Sequence, residues 1–309
     1  MTRYLVTGGA GFIGSHIVDR LVAQNHQVRV LDDLSCGRLE NLDSVRDRIE
    51  WMKADICDRQ AVACAVEGSQ RVIHAAAWRS VPKSMADAWG YTQVNVLGTV
   101  NLLEAASKAK VERFVCVSSS SVYGLSDQIP MREEQPALPI SPYAASKLAD
   151  ELFCGLFARS FNLQTTAVRY FNVFGPRQSL DNDYAVVIPK FISCLLKGQS
   201  PPIYGDGRQS RDFTYVDNVA EGTILASQVP GVSGEVFNLA LGEEHTVLEL
   251  LEELNKIMGL KIAPLFKPAR AGDVLRTLAD SSKAKHLLGW KACVSFSEGL
   301  RRTVDWFRL

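Results

Sequence analysis

The first half of the chain alternates short apolar runs with stretches in which apolar residues recur at helical spacing. The apolar runs predict strands over residues 4–7, 28–31, 50–54, 72–77 and 114–118. The longest helical patterns cover residues 89–109 and 142–161. Because strands that alternate with helices pair in parallel, the pattern predicts an α/β fold with a doubly wound parallel (Rossmann) sheet.

The second half is divided into shorter pieces after a further predicted strand over residues 165–170. Glycine and proline interrupt it at 175–176, 201–202 and 205–207, and Thr246 and Glu249 have the spacing of a capping box that starts a helix. A chain of 309 residues is long for one compact core. We therefore expect a large domain over residues 1–170 and a second, smaller α/β domain mainly over 171–309, with 211–240 returning to the large domain.

The amino-acid composition argues against several classes of function. Apolar residues make up 47% of the chain, charged residues 22%, and the net charge is zero, which argues against a nucleic-acid surface or an anionic membrane. No apolar run approaches the ~18 residues of a membrane span, and the first run leads directly into a glycine turn, which leaves no room for a signal peptide. The seven cysteines and five histidines lack metal-ligand spacing. We expect a cytoplasmic protein with reduced thiols and no metal.

A glycine-rich turn follows the first predicted strand and precedes a predicted helix. Gly9, Gly11 and Gly14 give the spacing G-x-G-x-x-G, and Gly8 with Gly11 and Gly14 gives G-x-x-G-x-x-G. Both spacings place backbone without side chains where a pyrophosphate meets a helix N-terminus. The turn therefore predicts a dinucleotide site, the alternative being a tight turn with no ligand.

Two strand ends add to the predicted cofactor site. Asp32 ends the second strand, where a carboxylate accepts hydrogen bonds from the ribose hydroxyls of NAD and repels the extra phosphate of NADP. Arg29 and Arg38 lie nearby in sequence and weaken that exclusion, and Asp32 could instead be a cap. His74 is followed by three alanines, which either let a cofactor approach closely or pack tightly against a helix.

Tyr143 and Lys147 carry the candidate chemistry, downstream of a serine run at 118–121. A phenol titrates near pH ~10 and is a poor base at neutrality. A lysine four residues later lies on the same helical face, where its charge favours the phenolate and brings the tyrosine closer to useful acid–base range. In the second half, Arg208, Arg211 and Arg270 are candidates for phosphate contacts, although a loop arginine is more often a solvated charge.

Together these residues resemble the extended short-chain dehydrogenase/reductases, specifically the NAD-dependent nucleotide-sugar epimerases. The resemblance covers essentially the whole chain and rests on segments 7–14, 55–56, 118–124, 143–147 and 169–176. It implies that Tyr143 is the general base, that Lys147 binds the nicotinamide ribose, and that Ser119 bridges the sugar hydroxyl being oxidised. The cofactor it implies is NAD.

The resemblance also implies the binding residues. Those for NAD are Gly8, Gly11, Phe12, Ile13, Gly14, Asp32, Asp33, Ser35, Gly37, Asp55, Ile56, Ala75, Ala76, Ala77, Asn95, Tyr143, Lys147 and Tyr170, with Asp55 and Ile56 flanking the adenine. Those for a UDP-sugar are Ser80, Ser119, Ser120, Tyr143, Asn172, Gln178, Val186, Val187, Tyr204, Arg211, Arg270, Asp273 and Thr277. Among these, Asn172, Arg211 and Arg270 would hold the UDP group and Asp273 its uridine ribose.

Within the family, the segments 80–82, 175–178, 184–189 and 205–207 are most similar to the UDP-N-acetylglucosamine 4-epimerase subgroup. Arg79 departs from that subgroup, which tends to carry a smaller residue there. Thr277 stands where the subgroup has serine and strict glucose/galactose enzymes have tyrosine. The expected reaction is a reversible C4 epimerisation of a UDP-hexose, acetylated or not, through a 4-keto sugar.

Two rival functions remain open at this point. A dehydratase of the same family carries Asp-Glu directly before Val-Tyr-Gly, and a decarboxylase carries a glutamate there, whereas this chain has Ser120 and Ser121. A non-catalytic NAD sensor is disfavoured by the intact Ser119, Tyr143 and Lys147. Apolar residues on more than one face of the helices at 89–109 and 142–161 also predict a homodimer that joins through a four-helix bundle.

Overall fold

The structure is a computed structural model that describes residues 1–126, 128–179, 187–269 and 275–308. Its strands are β1 (Arg3–Thr7), β2 (Gln27–Asp32), β3 (Ile49–Lys53), β4 (Arg71–His74), β5 (Arg113–Ser119), β6 (Thr165–Tyr170), β7 (Val173–Phe174), β8 (Pro202–Tyr204), β9 (Ser210–Arg211), β10 (Thr214–Tyr215), β11 (Val236–Leu239), β12 (His245–Thr246) and β13 (Leu265–Lys267). Its α-helices are α1 (Phe12–Ala23), α2 (Arg59–Val66), α3 (Val81–Ala86), α4 (Ala88–Tyr91), α5 (Gly98–Lys108), α6 (Pro142–Ser160), α7 (Val187–Leu196), α8 (Val216–Gln228), α9 (Val247–Met258), α10 (Ser282–Leu288) and α11 (Phe296–Phe307).

The predicted Rossmann fold is confirmed. A seven-stranded parallel sheet has the order β11-β6-β5-β4-β1-β2-β3. The chain winds outward from β1 through β2 and β3, and then from β4 through β5 and β6 in the opposite direction. This reversal opens a crevice above the carboxyl ends of β1 and β4, where such folds bind ligands.

The strands are apolar on both faces because helices cover both sides of the sheet. Leu5, Leu31, Val72 and Phe114 face one core cluster, which also contains side chains of α2, α5 and α6. Their neighbours along the strands face a second cluster with α1 and α8. Because side chains alternate along each strand, the sheet packs against one hydrophobic cluster on each of its two faces.

Strand β4 is shorter than the predicted 72–77. It ends at His74 because its neighbour β1 ends at Thr7 and then turns at Gly8. Ala75 N still donates to Thr7 O at 3.1 Å, but the next residue, Ala76, bonds to the Thr7 hydroxyl instead of the backbone. Ala75, Ala76 and Ala77 therefore leave the sheet and form the wall of the crevice.

The predicted helix over 89–109 contains a wider turn in its middle. A π-helical segment, Thr92–Leu97, joins α4 to α5. Such segments insert an extra residue into the helical ladder and often occur at functional sites. Here the insertion surrounds Asn95, which is completely buried.

In the second half, short strands pair as β10-β7, β12-β9 and β13-β8. The predicted capping box at Thr246 and Glu249 is present at the start of α9. Helix α8 packs on α1 and on β4 to β6, and β11 extends the large sheet beside β6. The division into two domains stays a prediction. Among the described helices, none combines the length and apolarity that a membrane crossing requires.

Candidate active site

The glycine turn between β1 and α1 leaves no room for side chains. Gly8 has φ +68, and a Cβ on it would lie 2.6 Å from Ala76 N. A Cβ on Gly14 would lie 2.1 Å from the carbonyl oxygen of Gly8. Helix α1 begins after Gly11 with no side-chain cap, so its first N–H groups are available to an anion. The turn therefore fits a pyrophosphate.

Asp32 holds the glycine turn and the loop after β2 together. Its carboxylate accepts from Ala10 N at 3.0 Å and from Leu34 N at 2.8 Å. Burial raises the pKa of Asp32, while these two N–H groups oppose the rise. A Cβ on Gly37 would lie 2.9 Å from Asp32 Oδ1, which explains the glycine there. Asp32 therefore accepts hydrogen bonds from backbone N–H groups, as the alternative of a capping role predicts, and it also lines the cleft.

The two arginines near Asp32 have different positions. The sequence predicts that Arg29 weakens the exclusion of NADP. This prediction is wrong, because the Arg29 side chain points away from the cofactor crevice. The Arg29 guanidinium donates to three carbonyls at the end of α2, those of Cys64, Ala65 and Glu67, at 3.1, 2.6 and 2.8 Å. It caps that helix and does not face the cofactor crevice, whereas Arg38 lines it.

The crevice is a cleft of about 560 Å³. It brings together most of the predicted cofactor residues, namely Gly8, Gly11, Phe12, Ile13, Gly14, Asp32, Asp33, Ser35, Gly37, Asp55, Ile56, Ala75, Ala76 and Ala77. The volume, the glycine floor and the bare helix start together fit an extended dinucleotide. That these residues bind NAD stays a prediction for each of them.

A buried chain of hydrogen bonds lies behind the alanine wall. His74 Nδ1 and the Thr7 hydroxyl are 2.7 Å apart, and His74 Nε2 and the Thr99 hydroxyl are 2.8 Å apart. Because Thr99 gives its own hydrogen to Asn95 O, we assign the Nε2–H tautomer to His74. Burial, with help from the charge of Lys147, lowers the pKa of His74 to about 3, so the ring is neutral.

Asn95 lies beside the cleft, on the π-helical segment. Its Oδ1 accepts from Trp78 N at 2.8 Å, and its Nδ2 donates to Trp78 O and to the Ser146 hydroxyl. Asn95 thereby links the strand-end loop to α6. Both ends of its amide are engaged within the protein, and its contact with the cofactor stays a prediction.

Tyr143 and Lys147 lie in the first turns of α6, which begins after the capping serine Ser141. The Tyr143 ring centroid is 6.4 Å from that of Tyr91, and Tyr91 is 5.5 Å from Trp78, a cleft residue. Lys147 is buried and bonds to Asp150. The half-buried Tyr143 ring is therefore connected to the cleft residue Trp78 through Tyr91, although Tyr143 is not among the residues that line the cleft. Its acid–base role stays a prediction.

Ser119 and Ser120 stand where β5 ends. Ser119 is the N-cap of a 3-10 turn over Ser120–Tyr123, and its hydroxyl accepts from Ser121 N at 3.2 Å. The Ser119 hydrogen remains available to a substrate oxygen. Tyr170, at the end of β6, does not bring its side chain to the cleft, because its hydroxyl bonds to Thr223 on α8 at 2.6 Å.

Several predicted substrate residues are held by hydrogen bonds within the protein. Ser80 caps α3 and is held by Tyr91, whose hydroxyl donates to Ser80 O at 2.8 Å. The Thr277 hydroxyl donates to Asn172 Oδ1 at 3.2 Å. Gln178 lines the cleft and keeps a buried Oε1 without a partner among the described residues. That oxygen is available to a bound ligand.

The remaining predicted substrate residues are spread over the second half of the chain. Val187 begins α7, Tyr204 ends β8, and Arg211 ends β9, where it donates to Ser210 O at 2.9 Å. Val186, Arg270 and Asp273 lie outside the described residues. Next to Arg211, the buried Asp212 accepts from the N–H groups of Leu241, Gly242 and Ala279 and so joins these segments.

Sequence reasoning missed several residues of the site. Trp78, Arg177, Trp306 and Phe307 also line the cleft. The last two belong to the end of α11, far away in sequence, and no motif signals them. Arg177 pairs with Asp19 on α1 at 2.7 Å, a contact that requires the folded chain. Asp150 beside Lys147 was detectable, because three residues separate them on a predicted helix.

Comparison with known proteins agrees with this geometry. The family model described as GDP-mannose 4,6 dehydratase matches residues 5–303. A UDP-glucose 4-epimerase of Mycolicibacterium smegmatis is 41% identical over 99% of this chain and 98% of its own. A solved UDP-N-acetylglucosamine 4-epimerase of Methanobrevibacter ruminantium, in complex with UDP-N-acetylmuramic acid, has a TM-score of 0.95 at 40% identity, covering 99% of this chain and 98% of that one. A Thermus thermophilus UDP-glucose 4-epimerase with NAD has a TM-score of 0.90 at 37% identity, covering 99% of each chain.

Proposed function

This chain belongs to the extended short-chain dehydrogenase/reductase family that includes the NAD-dependent UDP-sugar 4-epimerases, and we propose that it reversibly inverts C4 of a UDP-hexose. The observation that carries the proposal is the placement of Tyr143 and Lys147 one turn apart on α6, with Tyr143 connected through Tyr91 and Trp78 to a glycine-floored cleft of about 560 Å³. A cofactor site alone would suit a sensor as well. The adjacent acid–base pair points to catalysis.

The residues of the chain would have the following roles in the reaction. NAD, when bound, accepts hydride from C4 and returns it. Tyr143 takes the C4 hydroxyl proton, Lys147 stabilises the phenolate by its charge, and Ser119 donates a hydrogen bond to the reacting oxygen. The 4-keto sugar turns over, and Tyr143 then returns the proton after hydride reaches the opposite face. UDP supplies binding that is remote from the sugar, which leaves the ring free to rotate.

The serine run favours epimerisation over dehydration, the runner-up activity. Elimination of water from C5 and C6 needs an acid and a base beside the sugar. The family's dehydratases place Asp-Glu where this chain has Ser120 and Ser121. In the structure these serines form the 3-10 turn after β5, and the Ser121 hydroxyl is buried without a partner among the described residues. Neither hydroxyl can replace a carboxylic acid at neutral pH.

The sugar pocket would accept an N-acetyl group. Thr277 marks this side of the site, where its hydroxyl accepts from Asp212 N at 3.4 Å and donates to Asn172. The small side chain leaves the space that a tyrosine would occupy. Because the hydroxyl is committed to the protein, Thr277 acts by size and by holding Asn172. UDP-glucose also fits such a pocket, so activity on both sugar types is part of the proposal.

The enzyme would work as a cytoplasmic homodimer. On the two helices expected at the interface, Trp89, Leu97, Leu152 and Leu156 are 73, 52, 65 and 39% exposed. Large apolar side chains clustered on paired helices favour burial against a second copy. All seven cysteines are free, which suits a reducing compartment.

Product analysis tests the proposed function. Purified protein is incubated with UDP-glucose, UDP-galactose, UDP-N-acetylglucosamine and UDP-N-acetylgalactosamine, and the nucleotide sugars are separated by chromatography. We expect at least one pair to reach the same mixture from either member. A 4-keto-6-deoxy sugar as the stable product would instead establish a dehydratase, and no conversion of any of the four would contradict the proposal.

A further inference from the structure

The ammonium of Lys147 contacts a buried acid, Asp150, which the mechanism above does not use. Lys147 Nζ donates to Asp150 Oδ2 at 2.7 Å, and the two side chains are 3 and 0% exposed. The residues are three apart on α6, so the helix brings them to one face. Asp150 Oδ1 is buried and has no hydrogen-bond partner in the part of the chain that the structure describes. Burial raises the pKa of Asp150, while the charge and hydrogen bond of Lys147 and the Thr99 hydroxyl oppose that rise, so the ionised carboxylate depends chiefly on Lys147.

The other titratable groups facing this pair are neutral or already paired. On β4, His74 is neutral. Glu151 is held by Arg169 of β6 through bonds of 2.9 and 2.7 Å. Helix α5 contributes the Thr99 hydroxyl, which gives its hydrogen to Asn95 O. The remaining groups are the thiols and phenols Tyr91, Cys116, Cys154 and Tyr170, while Lys83 on α3 is exposed. Among the described residues, Asp150 is thus the carboxylate that forms an ion pair with Lys147.

The ion pair keeps Lys147 protonated inside the protein. Burial alone would lower the pKa of Lys147, but the Asp150 carboxylate outweighs it and raises that pKa above its usual value. At the same time the carboxylate cancels part of the positive potential that Lys147 exerts on Tyr143. A tyrosine beside a lone ammonium would hold its proton less tightly than one beside an ion pair.

We propose that Asp150 is a positioning residue for the acid–base step: it holds Lys147 and, by neutralising part of its charge, sets the pH at which Tyr143 becomes a base. This inference rests on the proposed function, in which Tyr143 both takes and returns a proton within one cycle. A phenol that gave up its proton too readily would return it poorly. Balancing the lysine charge serves both halves of the reaction.

The helix geometry gives the expected size of the effect. Tyr143 and Asp150 are seven residues apart on α6, about 10 Å along the axis at ~1.5 Å per residue. At an effective dielectric constant of ~20, one charge at that distance changes a pKa by about one unit. Removing the Asp150 charge should therefore lower the pKa of Tyr143 by about one unit.

Asp150→Asn tests this directly in the NAD-loaded protein. The introduced amide oxygen still accepts from Lys147, so the ammonium loses its counter-charge and keeps a hydrogen bond. The pKa of Tyr143 is measured as the phenolate absorbance that disappears in a Tyr143→Phe background. We expect the midpoint to fall by about one pH unit, and the rising limb of the pH–activity profile to fall with it. Asp150→Glu, which keeps the charge, should restore the parent midpoint.

Two outcomes would overturn the inference: an unchanged midpoint in Asp150→Asn, or a midpoint that moves to higher pH. If Asp150→Asn does not fold, Asp150→Ser leaves room for water at the same place and carries the same expectation. The titration needs no sugar substrate. A protein that lacks epimerase activity but shows the shift would therefore contradict the proposed function and leave the role of Asp150 standing.

Discussion

At the scale of single residues, the account depends on Tyr143, a half-buried phenol whose ring packs against Tyr91. Tyr143→Phe removes the hydroxyl and keeps the ring, so packing against Tyr91 is preserved. We expect the rate to fall by roughly 10²–10⁴-fold, because acid–base steps contribute that much. Bound NAD, measured after denaturation of the purified protein, should remain at the parent level. Activity within a factor of about two of the parent would remove Tyr143 from the mechanism.

Thr277 carries the second prediction at this scale. Thr277→Tyr fills the space beside Asn172 and overpacks the pocket, at a cost of ~1–3 kcal/mol for the larger sugar. We expect kcat/KM for UDP-N-acetylglucosamine to fall at least tenfold more than kcat/KM for UDP-glucose. Thr277→Ser keeps the hydroxyl that bonds Asn172 and serves as the matched control. Equal losses on the two substrates would show that Thr277 is not the size gate.

Residue positions, as distinct from their roles, were predictable from sequence where a short spacing fixes the geometry. Tyr143 and Lys147, one helical turn apart, and the glycines of the first turn are such cases. Arg29 shows the limit, because only the folded chain brings the carbonyls at the end of α2 to its guanidinium. Trp306 and Phe307 show the same limit, since they reach the cleft from the last helix.

At the scale of elements, the glycine turn is the part whose shape the cofactor most depends on. Gly14 lies in α1, where a Cβ would be 2.1 Å from the carbonyl oxygen of Gly8. We expect Gly14→Ala to distort the turn and to lower the amount of NAD that co-purifies, together with the melting temperature. The measurement is cofactor content per protein, with thermal unfolding in parallel.

Gly155→Ala is the matched control, because Gly155 also lies within a helix, α6. There the nearest neighbour of an added Cβ is the flexible end of Arg159, at 3.1 Å. A glycine replaced by alanine in a helix interior gains ~1 kcal/mol, so this variant should bind NAD normally and melt no lower than the parent. Equal NAD content in the two variants would contradict the role of the turn.

Most elements of the Rossmann sheet followed from the apolar pattern, because the inner strands are buried on both faces and the helices on one. The pattern failed where tertiary contacts end or reshape an element. Strand β4 stops at His74 because β1 turns away at Gly8. The π-helical segment around Asn95 has no signature in apolar spacing, since the inserted residue is accommodated by contacts with Trp78 and Ser146.

At the scale of the whole molecule, the exposed apolar side chains of α4 to α6 predict a dimer. Leu152 is 65% exposed on α6, and Leu152→Glu places a charge where the second copy would pack. We expect the variant to shift toward the monomer mass in light scattering at micromolar protein, while the parent is dimeric. Leu265→Glu, at a leucine that is 52% exposed on β13, should leave the mass unchanged. A monomeric parent would contradict the prediction.

The central claim is that hydride leaves C4 and returns to it within one bound NAD while Tyr143 moves the proton. The most direct measurement uses a UDP-hexose carrying deuterium at C4 and follows the epimer by mass spectrometry and NMR. The account predicts that the product keeps its deuterium at C4 and that solvent deuterium does not enter there when unlabelled sugar reacts in D₂O. Loss of the C4 label to solvent, or a product whose label has moved to C6, would contradict it.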